Sequence, residues 1–314
     1  MMLGYCAMFA TLLVWASFFI SLKFGVHSQL EPADIAITRF IIPSLILIPF
    51  VVKHLPSISA VPKRYKAGLI IGSGLPYLIV AGTAMQFAPV SHGSALIPGT
   101  LPMFVSAIAV LFYKQPLSNH RLLGLCAVLF GVILFLMSNI GDEYNWQQLK
   151  GHTLFLLGSL MWAVFTISAR VSNLNAYACA GFVSISSLVL LSLAITCGWL
   201  ESYLMKTPIT QWPWRDVVWQ LILQGIGAGL VASFTFLYAV KKIGAEASAA
   251  LGSLTPALAT LLAIPLLSEK PDIVTISALA FVTIGSIVAS NVLMKKHHQD
   301  TYRPPQFSSS KRAP

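Results

Sequence analysis

The sequence predicts an all-α polytopic membrane protein, with ten transmembrane helices in two inverted five-helix repeats and both termini cytoplasmic. Three observations carry that expectation. The 314 residues are 56% hydrophobic and 10% charged, whereas a soluble domain carries about 25% charged residues. The apolar runs are each close to the roughly 20 residues that cross a bilayer, and short polar turns separate them. A proline-broken hairpin also occurs twice. It reads His92-Gly-Ser-Ala-Leu-Ile-Pro-Gly-Thr-Leu-Pro102 and, 154 positions on, Glu246-Ala-Ser-Ala-Ala-Leu-Gly-Ser-Leu-Thr-Pro256. A β-barrel would show short alternating strands, and these runs do not alternate.

In chain order, the first helix is expected over Leu3–Leu22, with Trp15 inside it. No basic segment precedes it, so it reads as a retained helix and not as a cleaved signal peptide. The second, Asp34–Val52, contains Arg39; the third, Gly68–Phe87, carries Gly72-Ser-Gly74, Tyr77 and Gln86. The fourth, Ser91–Tyr113, begins beside His92, has Pro102 near its middle and ends at a turn with Gln115. The fifth, Arg121–Asn139, holds Gly124 and Gly131. The second set runs Gly151–Ala169 with Trp162, Tyr177–Leu200, Val217–Val240 with Tyr238, Ala247–Leu267 with Ser253 and Pro256, and Val274–Leu293. Residues 1–140 and 150–294 thus form two five-helix units, and 295–314 reads as a disordered basic cytoplasmic tail.

Charge placement orients the bundle. Lys53, Lys63, Arg64, Lys66, Lys114, Arg121, Arg170, Lys241, Lys242, Lys295, Lys296, Arg303, Lys311 and Arg312 fall on one side, 14 in all, and Lys23, Lys150, Lys206, Arg215 and Lys270 on the other, 5 in all. Basic residues favour the cytoplasm, so both termini are expected there. Trp146, Trp199, Trp212, Trp214 and Trp219 fall at the opposite ends, as half of an aromatic belt. The net charge of +10 therefore reports topology, and a nucleic-acid partner is not expected. The four cysteines lie scattered in apolar runs, with no ligand-spaced histidines, so neither disulfides nor a metal or cofactor are expected. HExxH, GxSxG and P-loop patterns are missing, which argues against an enzyme.

The repeat extends beyond the prolines. Trp15 matches Trp162 at an offset of 147, and Gly72-Ser-Gly74 matches Gly225-Ile-Gly227 at 153. Five helices per unit is an odd number, so the second unit enters the membrane inverted and a cavity is expected between the halves near the midplane. From Leu-Leu-Val-Trp15-Ala-Ser, Thr-Arg39-Phe, Pro102, Gly124 to Gly131, Trp162 and Leu-Leu-Ser-Glu269-Lys-Pro, the chain resembles the EamA-type family of the drug/metabolite transporter superfamily over residues 1 to about 294. That resemblance implies a secondary transporter of small metabolites, with amino-acid exporters well represented, in a bacterial inner membrane. The acidic turn usual in the family is present at Glu269 and replaced by Gln115 in the first half.

The residues expected to serve the substrate are Trp15, Arg39, Tyr77, Gln86, His92, Trp162, Tyr238 and Ser253, with Pro102 and Pro256 as helix kinks. Each proline removes a backbone donor and frees a carbonyl about four residues earlier. The tryptophans suit a stacking wall, or a core aromatic with its N–H on a carbonyl. Arg39 suits an anion anchor, or snorkelling and pairing with Glu31 or Asp34. His92 and Gln86 suit a polar mouth, and Tyr238 and Ser253 a ligand or a helix-to-helix hydrogen bond. No helix carries an acidic residue at its middle, which argues against carboxylate-based proton antiport and leaves downhill transport, exchange or coupling through His92. The expectation is a monomeric or homodimeric, alternating-access carrier of a small polar metabolite in the lipid bilayer, with amino-acid export the leading case. A sugar, nucleotide-sugar or organophosphate exchanger is the second reading, and a membrane receptor or structural subunit the third.

Overall fold

The structure is a computed structural model and describes residues 1–114, 116–137, 146–244, 248 and 251–289. Among these residues the regular structure is helical, without strands. The apolar helices are α1 Met2–Val26, α2 Pro32–Lys53, α3 Lys63–Phe87, α4 Val90–Tyr113, α5 Asn119–Met137, α6 Trp146–Ser172, α7 Ala176–Thr196, α8 Trp214–Ile243, α9 Thr255–Leu267 and α10 Ile273–Ala289. The first 8 are long and apolar enough to cross a membrane. α9 and α10 are shorter, at 13 and 17 described residues. Gln115, Glu246, Ala247 and the tail 295–314 lie outside the described residues.

Helix ends follow backbone chemistry more closely than polarity. α3 starts at Lys63 and not Gly68, because Pro62 sets the boundary and the basic first turn is already helical. α8 likewise starts directly after Pro213. α7 stops at Thr196, short of the expected Leu200, and Gly198 two residues on takes φ +73. That left-handed turn is open to glycine without a Cβ penalty.

Two helices depart from α geometry at positions related by the repeat offset. α3 breaks at Gly74, with Pro76 opening its second segment. The Leu75 N–H freed there donates to Ser187 Oγ of α7 at 3.0 Å. α8 is a π-helix over Leu221–Val231, around Gly225, Gly227 and Gly229. Such stretches are rare and gather at functional sites.

The packing has a simple pattern. α1 lies on α8 and α9; α6 lies on α3 and α4; α2 pairs with α7, α4 with α9, and α5 with α10. Exchanging α1–α5 for α6–α10 returns the same set of pairs. The self-related pairs run antiparallel. Asp34 at the start of α2 meets Ser202 beyond the end of α7, while Phe50 at the end of α2 stacks 5.3 Å from Tyr177. Gly124 abuts Ala289, and further along Gly131 abuts Val282. The α5–α10 approach depends on missing side chains: a Cβ on Gly285 would stand 2.8 Å from the Gly124 carbonyl oxygen.

Polar bonds knit together the end of the bundle opposite the N-terminus. Buried Asp34 accepts from Ser202 Oγ at 2.5 Å, Tyr203 N–H at 3.0 Å, Leu204 N–H at 3.3 Å and Glu31 N–H at 2.9 Å. Glu269 caps α4 from the far half: Val90 N–H donates to Oε1 at 2.6 Å and Ser91 N–H to Oε2 at 3.1 Å. A carboxylate there also meets the positive end of the helix dipole. Lys23 of α1 donates to the carbonyls of Met85 at 2.7 Å and Ala88 at 3.1 Å.

Asp34→Ala should lower stability by about 3 kcal/mol, because it strands buried donors as well as deleting charged hydrogen bonds. Thermal denaturation in detergent measures this, and a melting temperature equal to wild type would refute the network's weight. Glu269→Ala should cost about 1 kcal/mol, the scale of a lost helix cap, and Glu269→Gln less, since one acceptor oxygen remains. The same melts rank the three proteins.

Candidate functional site

A cavity of about 290 Å³ lies between the halves. Trp15, Phe18 and Phe19 of α1, Tyr77 of α3 and Pro98, Gly99, Leu101 and Pro102 of α4 line it from one side. Trp162 of α6, Phe236 of α8, Ser248, Gly252, Ser253, Thr255 and Pro256, and Thr283 and Ser286 of α10 line it from the other. Each tryptophan is held by an aromatic from the corresponding helix of the opposite half: Trp15 lies 5.4 Å from Phe236, and Trp162 lies 6.2 Å from Tyr77. Two aromatic walls therefore face one space, which suits stacking on a flat or apolar group.

None of the described lining residues is acidic, basic or a histidine. The polarity comes from hydroxyls. Thr255 Oγ1 donates to the Gly252 carbonyl at 2.7 Å, the carbonyl that Pro256 leaves without its helical donor. Ser286 Oγ donates to the Gly99 carbonyl at 2.6 Å, and Ser248 Oγ to the Gly244 carbonyl at 2.8 Å. Thr283 Oγ1 is buried with no hydrogen-bond partner among the described residues, so it is offered to a ligand. A wall of this kind solvates a neutral or zwitterionic molecule without a compensating charge.

The structure brings Trp15, Tyr77, Trp162, Ser253, Pro102 and Pro256 together around this cavity. It places the other candidates elsewhere. Arg39 lies behind Phe18, with its guanidinium 5.5 Å from that ring and Nη1 donating to the Gln224 carbonyl at 3.0 Å. Neither Glu31 nor Asp34 pairs with it, because Asp34 is filled by α7-side donors. Gln86 lines a separate groove of about 320 Å³ with Ser28, Gln29 and Glu31. Tyr238 is exposed, with the Lys242 ammonium 5.7 Å over its ring. His92 lines a polar pocket of about 280 Å³ with Gln148, Glu269, Asp272 and Thr275. Phe18, Phe19, Phe236, Thr283 and Ser286 join the cavity without having stood out in the sequence, since nothing but helical phase separates them from other apolar or small residues. Among the described residues no cluster of His, Cys, Asp or Glu is arranged to hold a metal.

The EamA-like transporter family model matches residues 2–137 and again residues 149–291. The chain is 24% identical over 306 residues to an uncharacterized transporter of Clostridium kluyveri, covering 91% of this chain and 92% of that one. It is 23% identical over 294 residues to YedA, an uncharacterized inner membrane transporter of Escherichia coli, covering 92% and 89%. A solved crystal structure superposes with a TM-score of 0.60 at 19% identity, over 93% of this chain and 99% of that one, which speaks to the fold alone. Apolar helices, a cavity between two matched halves and relatives named for transport, not catalysis, agree: the chain is an integral membrane protein that belongs to the EamA-like transporter family.

Proposed function

We propose that the chain is an alternating-access carrier, secondary-active or facilitative, that moves a small polar metabolite, with amino-acid export the leading case. In this reading ten helices span the inner membrane of a bacterium as two inverted repeats, with both termini cytoplasmic. The antiparallel self-paired helices support it, because the two-fold axis relating the halves must then lie across the helices, in the membrane plane. α9 and α10, at 13 and 17 described residues, are the ninth and tenth of these helices.

The observation that carries the reading is the uncharged, aromatic cavity shared by both halves, above which the far end is closed by bonds from Asp34, Glu269 and Lys23. Trp15, Trp162 and Tyr77 would hold the body of the substrate, while Thr283 and Ser253 would meet its polar groups. Arg39 would tie α2 to α8 and not touch the substrate. The described lining, which carries no charge, suits a zwitterion or an uncharged sugar. It argues against nucleotide sugars and organophosphates, whose phosphates need basic partners.

Purified protein should be screened by thermal shift and by flux into liposomes against amino acids, free sugars and sugar phosphates. An amino acid at about 100 times its Kd should stabilise the protein by about 2.7 kcal/mol. Trp15→Ala and Trp162→Ala should each weaken that binding about tenfold or more. Folded protein that moves none of these compounds would count heavily against the carrier reading, and phosphates binding best would overturn the substrate class.

A further inference from the structure

At the closed end, four side chains from three helices and one turn form a continuous hydrogen-bonded row. His92 Nδ1 of α4 stands 2.8 Å from His152 Nε2 of α6. His92 Nε2 stands 3.2 Å from Thr275 Oγ1 of α10. The Thr275 hydroxyl, and its amide at 2.8 Å, bond to the Asp272 carboxylate and hold that carboxyl below its ordinary pKa. Asp272 is exposed; His92 is 4% exposed and His152 fully buried. At the buried terminus, His152 Nδ1 has no partner among the described residues.

Donor counting sets the tautomers. Gln148 Nε2 lies 3.3 Å from His92 Nδ1 and can only donate, so Nδ1 accepts there. His152 then donates from Nε2, His92 donates from Nε2 to Thr275, and Thr275 donates to Asp272. Every donor points outward, from the buried ring to the exposed carboxylate. His152 Nδ1 is left as a bare acceptor inside the protein.

We propose that His92 and His152 form a proton-binding site, exchanging with solution at the closed end through Thr275 and Asp272, that provides the carrier with its coupling ion. A proton arriving at His152 Nδ1 releases the Nε2 proton to His92, whose own Nε2 proton passes to Thr275 and thence to Asp272. Afterwards each hydrogen bond is reversed. One proton has moved, and only N–H and O–H bonds have formed or broken. Uptake from solution runs the same steps backward. In the reversed row His92 Nδ1 is a donor and conflicts with Gln148, so the proton's position is felt at the junction between the halves: His92 belongs to the first, and His152, Gln148 and Thr275 to the second. No membrane-buried acid is required.

Among the described residues, the charged and titratable groups around the pair are Glu269 and Lys270 in the turn, Asp272 before α10, Lys23 on α1, and Lys150 on α6. Lys150 turns away onto Phe87, 4.3 Å from its ring, and Lys23 is held by the Met85 and Ala88 carbonyls. Glu269 faces the amides of Val90 and Ser91. Asp272 is thus the carboxylate bonded to the row itself. The proton site stands on this geometry alone, and its coupling role rests on the carrier reading above.

The test is ring-nitrogen NMR of ¹⁵N-histidine-labelled full-length protein in lipid nanodiscs, titrated with acid and repeated for His92→Asn, His152→Asn and Asp272→Asn. The two rings should take up one proton jointly, and loss of either should move the other's midpoint by about one pH unit or more. Asp272→Asn should leave the pair intact and change its midpoint or its exchange rate. Rings that keep single neutral tautomers until the protein unfolds, or that titrate unaffected by each other's removal, would overturn the site. A coupled pair in a protein that transports nothing would retire the coupling role and the carrier reading together, leaving the proton site. Active transport with independent rings would do the reverse.

Discussion

A backbone amide or carbonyl released inside a bilayer must find its partner within the protein, because no water is there to serve it. Most of the architecture follows from how this chain meets that demand. Its helices are interrupted where function needs irregular backbone, and three of the backbone sites left open have a side chain as remedy. Ser187 of α7 accepts from Leu75 at the α3 break. Thr255 donates to the carbonyl that Pro256 frees. Glu269 takes the first two amides of α4. These remedies come mostly from distant helices, so satisfying the backbone and assembling the bundle are one event. Such side chains are worth more than their single bonds, since removing one strands a buried donor or acceptor.

The packing is close to symmetric, while the chemistry is not. The cavity hydroxyls of Ser248, Ser253, Thr255, Thr283 and Ser286 all come from the second half, against Tyr77 from the first. At the closed end Glu269, Asp272, Thr275 and His152 again come from the second half. Members of both sets act on the same partner, α4. Its amides meet Glu269, its His92 meets the buried row, and its Gly99 accepts from Ser286. α10 also packs along α4, a contact that α5 and α9 do not reproduce to the same extent among the described residues. A duplicated scaffold thus carries one apolar wall helix and a set of polar elements that read its position.

Composition and periodicity made the helical membrane class legible, and the run lengths placed most elements to within a few residues. The repeated tryptophans and prolines pointed to residues that now surround one cavity. What stayed hidden was helical phase. These helices are apolar on nearly every side, so no polar stripe reveals which face turns inward. Arg39 was legible as an intramembrane charge, yet its seat behind Phe18 was not. Asp34 read only as a partner for Arg39, because three of its four donors lie 168 to 170 positions away. His152 passed as one residue in an apolar run; its meaning arises only when α6 sets it against His92. Pair distances of that kind belong to tertiary packing, and a single chain without its fold does not encode them locally.

α4 shows how the two ends could communicate without moving as one piece. Its first turn is clamped at the closed end, and its middle forms the cavity wall. Pro98 and Pro102 lie between and within these parts, so two rungs of the helical hydrogen-bond ladder are missing over little more than one turn. Thr100 turns its hydroxyl to the Leu96 carbonyl at 2.6 Å, a local bond that stabilises a bend. A helix weakened at this point transmits rotation poorly and bending well. Rearranging the bonds at Val90, Ser91 and His92 would therefore tilt the upper segment while Gly99 remained on Ser286. In the carrier reading, α4 is a hinge between gate and cavity, and Pro98, which removes the helical rung to Ser94 ahead of Gly99, is the residue that makes one helix answer to both.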